Sequence, residues 1–420
     1  MSNADHPSSD VTIVGAGIVG ICCALSILET GKTVRLIDRA APGQATSFGN
    51  AGVISPWSII PQSVPGLWKK IPGMLLRENG PISVRVRHLP KLIPWGLRFL
   101  RNGTAEQVAA AATAMDTLNH ANVDLYRKHL AGTGHEALVQ DSWYVHAFRD
   151  PRKASTADLG YRIRAEHGAE LERIGADELH ALEPALSREF KAAVLIKGQA
   201  RAVSPGKIGE VLSQKAMALG ATLHRADVTA LTHNADGTWS VHTDTGTVCA
   251  PQVVVAAGAW SVDLLRPLGL DVPLQAERGY HVEFPTAGIE VNNSIMDTDM
   301  MAVASAMETG VRVAGTAEFT DRDAPRNEKR VRELATIAKR LFPDLDTDGM
   351  TSWMGSRPSF PDSLPMLGEF PDRPGLYSAF GHSHYGLMMA PKTGQILADL
   401  VNNTAPNTDL SPFSVTRFEA

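Results

Sequence analysis

Apolar positions along this chain recur with two rhythms, and the first forty residues show both in order. A buried strand beginning at Val11 runs into Gly15-Ala16-Gly17-Ile18-Val19-Gly20. Ile18–Thr30 then predicts a helix, and Thr33–Ile37 a second strand that ends at Asp38. Further on, helices are expected over Thr104–His129, Thr156–Gly168 and Gly175–Glu183, with a strand over Ser142–Phe148. Ala193–Ile196 and Ala200–Val203 read as strands leading to Ser204-Pro205, which starts a helix over Gly206–Leu219. Thr222–Arg225, Val228–His233 and Trp239–Thr243 read as strands separated by turns. The stretch from Pro251 reads as a buried parallel strand ending in Ala256-Ala257-Gly258. A second sheet is expected from Val272–Gln275, Tyr280–Phe284, Ser294–Asp297, Met301–Ala306 and Val311–Glu318, then an amphipathic helix over Arg326–Leu341 and a closing helix over Gly394–Val401.

Pro56–Asn102 breaks these rhythms. It holds Trp57, Trp68 and Trp95, repeated prolines, and the basic residues Lys69, Lys70, Arg77, Arg85, Arg87, Lys91, Arg98 and Arg101. Short helical pieces of this composition make either a membrane-surface or partner-docking patch, or a helical excursion packed on the body.

Composition narrows the class. At 420 residues the chain suits two interleaved domains. A net charge of -5 without a long Lys/Arg run argues against nucleic acid as a partner. Cys22, Cys23 and Cys249 have no CxxC spacing, so Cys22 and Cys23 read as small packing residues in a reducing cytoplasm. Met1–Asp10 is polar and reads as a short disordered lead; no run of about 18 apolar residues predicts a membrane span. No metal site is assigned.

The glycine motif carries the sharpest chemistry. Its first glycine permits the strand-to-helix turn, the second lets backbone approach a pyrophosphate, and the third lets helix pack on strand. Asp38 is placed to accept hydrogen bonds from ribose hydroxyls. That much fits NAD or FAD. The small-residue surfaces at Ala256–Ser261 and Gly381–Gly394 and the loop 41–52 point to the larger flavin.

Six ordered motifs together resemble the D-amino-acid oxidase and glycine oxidase superfamily, most closely its bacterial D-amino-acid dehydrogenase branch. They are Gly15–Gly20 with Asp38; Thr46–Gly52 followed by Ile54-Ser55-Pro56; Ala256–Ser261; Arg278-Gly279-Tyr280; Gly355-Ser356-Arg357-Pro358 with Pro361-Asp362 and Pro365; and Gly381-His382 with Gly386-Leu387. The resemblance implies an α/β (α+β) fold in which a Rossmann-like FAD-binding domain (1–55, 190–265, 350–420) is interleaved with a mixed-sheet substrate domain (56–189, 266–349, with a helical excursion over 56–130). It also implies oxidation of an amine carbon beside a carboxylate, with electrons passed to a quinone or another carrier. With no recognised attachment motif, the FAD is expected to be noncovalent.

By the same resemblance Arg357 grips the substrate carboxylate and Tyr280 is a substrate-side aromatic. Tyr385 forms a further wall, and His384 is a polar group near the amine or side chain. Expected cofactor contacts are Gly15, Gly17, Ile18, Val19, Gly20, Asp38, Arg39, Thr46, Ser47, Asn50, Ala51, Gly52, Val203, Ala257, Gly258, Trp260, Gly355, Arg357, Gly381, His382, Tyr385, Gly386 and Leu387, with His382 holding its loop by hydrogen bonds. The chain departs from glycine oxidases at His384-Tyr385, where those carry Arg-Asn, so the substrate stays open. Oxidation of a secondary amine (sarcosine, a hydroxyproline isomer or an opine) and a flavin-binding subunit of a heteromeric amine dehydrogenase are the alternatives. A location in the cytoplasm or at the inner face of the cell membrane is expected.

Overall fold

A computed structural model describes residues 9–77 and 79–418, so the expected lead Met1–Asp10 falls, up to residue 8, outside the described residues. In chain order, the elements that carry the site are β1 (Val11–Val14), α1 (Ile18–Leu28), β2 (Val34–Asp38), α2 (Leu67–Leu76), α3 (Leu89–Arg101), β3 (Val139–Phe148), α4 (Leu159–Glu166), β4 (Thr222–Arg225), β5 (Gln252–Val255), β6 (Gln275–Phe284), β7 (Gly310–Phe319), β8 (Thr351–Ser359), β9 (Leu376–Phe380) and α5 (Gly386–Val401).

The first sheet has the order β9-β5-β1-β2-β4, all parallel, with Met366–Glu369 antiparallel at the β9 edge. Parallel pairing puts the carboxyl ends of five strands on one edge, where open α/β sheets bind ligands. Both faces of this sheet are covered, which explains why β1 and β5 read as apolar runs. Helix α1 is apolar on nearly every side because it packs on α5 and on the helix Pro205–Ala218 as well as beneath the sheet. Cys22 and Cys23 are fully buried there, as expected of packing residues.

The second sheet is mixed. Its order is β8-β6-β7, then Ala302–Met307, Ser294–Asp297, β3, Ala192–Ala202 and Val53–Ile54. Interleaving is thus literal: the two sheets exchange chain several times, and both Ala192–Ala202 and β8 join the mixed sheet although they fall within stretches expected to build the FAD-binding part.

Four local expectations are corrected. The segment 193–203 is one strand, Ala192–Ala202, because Gly198 (φ 69°) forms a bulge opposite Trp143 that keeps the ladder going. The helix expected over Thr104–His129 breaks into Ala105–Asn119 and Asn122–Leu130, since the buried Asn119 and Asn122 amides turn aside to donate to Ser58 O and Ser55 O. Residues 272–274 form no strand; Pro273 removes a ladder donor and β6 starts at Gln275. The closing helix starts at Gly386 rather than Gly394. Gly394 instead marks the closest approach to α1, where a Cβ would lie 2.4 Å from Cys22 O.

The excursion is helical, as expected. Its short strand Ile82–Val84 pairs with β7, and Trp95 Nε1 donates to Ser359 O. It still leaves Trp68, Leu75, Leu76, Val86, Leu89, Ile93, Leu97 and Leu100 exposed among its basic residues. No helix among the described residues is long and apolar enough to cross a membrane.

Candidate active site

A cavity of about 1620 Å³ opens where the carboxyl edge of the parallel sheet meets the mixed sheet. Its walls come from chain segments more than 300 residues apart.

At one end lie Gly15, Gly17, Ile18, Val19, Asp38, Arg39, Ala257, Gly258 and Trp260, as the sequence reading expected. Gly15 (φ 111°) makes the turn, and a Cβ there would lie 2.5 Å from Ala256 O. Gly17 caps α1 without a side-chain bond, leaving the helix N-terminus facing the cavity, and a Cβ on it would meet no protein atom within 4 Å. Gly258 has the same open surroundings. The Asp38 carboxylate accepts from Ala16 N (2.7 Å) and Ala40 N (2.8 Å), so it first holds the glycine turn in place; each oxygen keeps a lone pair for a ribose hydroxyl. Arg39 and Arg322 stack on Trp260 at 4.5 and 5.2 Å.

Thr46, Ser47, Asn50 and Ala51 line the next section. Their polar groups brace the loop: Thr46 donates to Ser356 O, Ser47 Oγ accepts from Ile18 N, and Asn50 Oδ1 accepts from Gly52 N.

Three expected cofactor contacts stand outside the cavity lining. Gly20 packs on Gly15 O, which a Cβ would approach to 1.9 Å, and this is the helix-on-strand role of the third glycine. Gly52 (φ 84°) lies against Ala202 O. Val203 is the clear correction: its N–H donates to Leu138 O, its carbonyl accepts from Glu308 N, and it sits in the core. The cavity wall there is Ala226–Thr229, just past β4. Since β4 is the outer parallel strand beside β2, its carboxyl end reaches the ligand edge, and Val228 occupies the place given to Val203.

The other end is a polar cluster that the sequence reading only half anticipated. Glu277 on β6 is paired in register with Arg357 on β8. Its Oε1 accepts from Arg357 Nη1 at 2.8 Å and from His384 Nε2 at 2.7 Å. Burial opposes its charge, but His384 and the Arg357 guanidinium outweigh that and hold its pKa down at about 2. His384 is itself lowered, by burial first, against the pull of Glu277. Arg357 Nη1 also donates to Thr316 O (3.0 Å); the rest of its guanidinium edge makes no protein hydrogen bond among the described residues. Thr316 stands at φ 64°, a strained conformation for a β-branched residue, in the bulge that aims its carbonyl at Arg357. Gly279 is required by the same group: a Cβ would lie 2.2 Å from Arg357 Cζ. Gly355, facing Gly279 across the ladder, leaves room for the Trp353 ring, which stacks on His281.

Tyr280 is among the residues that line the cavity, but its ring does not face into it. Strand alternation turns it to the opposite face from Glu277 and Gly279. Its side chain lies in the core beneath the helix Glu328–Leu341. Its hydroxyl donates to Glu318 Oε2 (2.6 Å) and accepts from Arg278 Nη2 and Asn327 N, and burial pushes its pKa up to about 12.

Gly381, His382, Tyr385, Gly386 and Leu387 close the cavity at the start of α5. The buried His382 bonds Thr393 Oγ1 at 3.0 Å, and burial lowers its pKa to about 3, so it holds the loop as a neutral ring. Tyr385 donates to Ile60 O, tying the loop to the chain that leads into the excursion.

A parallel sheet with a glycine-lined carboxyl edge, facing a second sheet that presents the Glu277-Arg357-His384 cluster, has the two-part build of a dinucleotide oxidoreductase. Comparison with known proteins makes that specific: the family model described as DAO, FAD dependent oxidoreductase, matches residues 10–400, and the chain belongs to this family. It is 38% identical over 416 residues to a D-amino-acid oxidase of Bradyrhizobium diazoefficiens, covering 97% of this chain and 98% of that one. It is 30% identical over 407 residues to D-amino acid dehydrogenase 2 of Mesorhizobium japonicum, covering 95% and 98%. In fold it is similar to glycine oxidase from Geobacillus kaustophilus, with a TM-score of 0.73 at 23% identity over 98% of this chain and 99% of that one. FAD is the family's cofactor, and the open spaces at Gly17 and Gly258 with the N-terminus of α1, whose cap residue Gly17 has no side chain, fit its pyrophosphate.

Proposed function

We propose that this protein oxidises the Cα–N bond of a D-amino acid. The observation that carries the reading is the Glu277-Arg357-His384 cluster, which holds one guanidinium edge rigidly and leaves the rest for a carboxylate. The names of the two curated relatives support the D-amino-acid class. Bound FAD supplies the two-electron acceptor that takes the Cα hydrogen as hydride. The chain's part is placement: Arg357 fixes the α-carboxylate, His384 lies beside the ionised Glu277 as a polar neighbour for the amine, and Tyr385 with the start of α5 walls the pocket. The amine loses one proton, the product imine is hydrolysed by water, and a 2-oxo acid and ammonia leave.

Residues His382 and His384 have Nε2 engaged by Thr393 and Glu277, which supports noncovalent FAD; acid precipitation should release all the flavin. The apolar, basic face of α2 and α3 supports a quinone or other membrane-side carrier as electron acceptor.

The test is anaerobic mixing with D- and L-amino acids, sarcosine and hydroxyproline isomers, read by loss of the oxidised flavin absorbance. Reduction by D-amino acids is expected, with Arg357→Ala raising the apparent Kd on the order of a hundredfold, as loss of a charge-assisted pair does. Unchanged affinity in Arg357→Ala would remove the clamp, and reduction by secondary amines alone would move the substrate class.

A further inference from the structure

The same cavity contains an arginine, apart from the pair at Trp260, that the proposed reaction does not use. Arg164, on α4, lines it. Its Nε donates to Trp57 O at 2.9 Å and its Nη1 to Gly160 O at 3.1 Å. Two carbonyls orient the guanidinium without neutralising it. Among the described residues, no carboxylate pairs with Arg164; the ionisable groups that act on it are Tyr161, Tyr385 and Tyr144. The acidic residues of the cavity are Glu277, paired as above, Asp38, which accepts from Ala16 N and Ala40 N, and Asp227, Asp263 and Asp323, which pair with Arg39 and Arg322. Arg357 with Glu277 sums to no net charge, whereas the charge of Arg164 stands uncompensated.

Its neighbours are donors too. Tyr144, on β3, lines the cavity, and its hydroxyl makes no protein hydrogen bond among the described residues. His146, also lining the cavity and 7% exposed, meets Tyr144 edge-on at 4.6 Å. Its Nδ1 faces the Tyr161 hydroxyl at 2.8 Å, and its Nε2 is buried without a partner. In the tautomer in which Tyr161 donates to Nδ1, the proton of this neutral ring sits on Nε2. Arg164, the Tyr144 hydroxyl and, in that tautomer, the His146 Nε2–H therefore share a wall without protein acceptors for the two donors among the described residues. Tyr385 links the walls, since it lies within electrostatic reach of both Arg164 and Glu277.

We infer that Arg164, with Tyr144 and His146, binds a second carboxylate on the substrate, so that the preferred amine is an amino acid with an acidic side chain. A second carboxylate supplies the charge that Arg164 lacks, whereas an amide of the same shape leaves a desolvated guanidinium uncompensated. The inference rests on Arg357 taking the α-carboxylate.

Anaerobic titration of the holoenzyme with D-glutamate against D-glutamine, and D-aspartate against D-asparagine, tests it. In at least one pair the acid is expected to show an apparent Kd about tenfold or more below the amide, as one charge-assisted pair provides. In Arg164→Gln that ratio should fall to about 1, with Arg164→Lys keeping part of it. The ratio is taken within one protein, so incomplete flavin loading or partial misfolding does not move it. Equal affinities within both pairs in the native protein, or a preference that survives Arg164→Gln, overturn the inference. The clamp reading fails separately: Arg357→Ala should weaken acid and amide alike, and if only Arg164→Gln does so, Arg164 holds the α-carboxylate and both assignments fall. If no amine reduces the flavin, calorimetric titration with glutarate against glutaramate still decides, because tighter binding of the dianion that Arg164→Gln removes supports the site and equal binding overturns it.

Discussion

Glu277 holds Arg357 and His384 through a single oxygen, so the proposed clamp is built from a carboxylate as much as from the arginine. Gly279 is the space this requires. Gly279→Ala places a methyl within about 2.2 Å of Arg357 Cζ, and because the clashing atoms end a flexible side chain, the guanidinium moves while the strand stays. The expected result is a tenfold or greater rise in KM for the amino acid with a loss of about 1 kcal/mol in stability, seen by steady-state kinetics beside denaturant unfolding. An unfolded variant, or unaltered KM, would show that the position serves packing alone. The glycines were legible because motif spacing marks them, and Arg357 because its motif resembles that of the family. Glu277 was legible in principle, since alternation in Glu277-Arg278-Gly279-Tyr280 puts it on the face of Gly279 and sends Tyr280 to the other. Which face meets the ligand depends on what packs against each, and that is absent from the pattern.

Two glycines of the first motif separate binding from packing at the level of elements. Gly17 has an ordinary backbone conformation (φ -69°) and open space where its Cβ would stand. Gly17→Val should therefore fold, with an unchanged far-ultraviolet spectrum, and purify with little flavin. Gly20→Val drives a side chain into Gly15 O and should cost about 2 kcal/mol or more, visible as a lowered Tm of the apoprotein. The excursion makes its own prediction. Ile93 and Leu97 are each 56% exposed on α3, beside Arg98 and Arg101. Binding to vesicles containing anionic lipid, measured by sedimentation, should fall at least about tenfold in Ile93→Glu/Leu97→Glu and weaken with salt. Binding that ignores both changes would leave α3 as a packing element only.

Across the whole molecule, buried neutral histidines set the response to acid. His146 and His382 are lowered to about 3, and His129 and His281 to about 4, by burial. Below about 6.5 the unfolded chain takes up protons that the native protein refuses, so their stability contribution is complete above that pH and lost as pH falls toward 4 and 3. Glu277, at about 2, acts in the same direction below about 4.5. Each histidine contributes a slope of about 1.4 kcal/mol per pH unit. Urea unfolding between pH 6.5 and 4.5 should show stability falling with pH, and His382→Asn should reduce the slope by about one proton; an unchanged slope would mean that His382 is protonated in the native state.

The amino-acid sequence by itself determined the dinucleotide turn and most of the order of strands and helices, because glycine conformation and apolar periodicity are local properties of the chain; Arg357 was singled out by the family resemblance of its motif. Tertiary structure alone decided that Val228 rather than Val203 lines the cavity, that Glu277 pairs with Arg357 and His384, and that Arg164 lines the cavity without a carboxylate partner among the described residues. Those are relations between segments 80 to 200 residues apart, fixed by which strands pair and which face each turns inward.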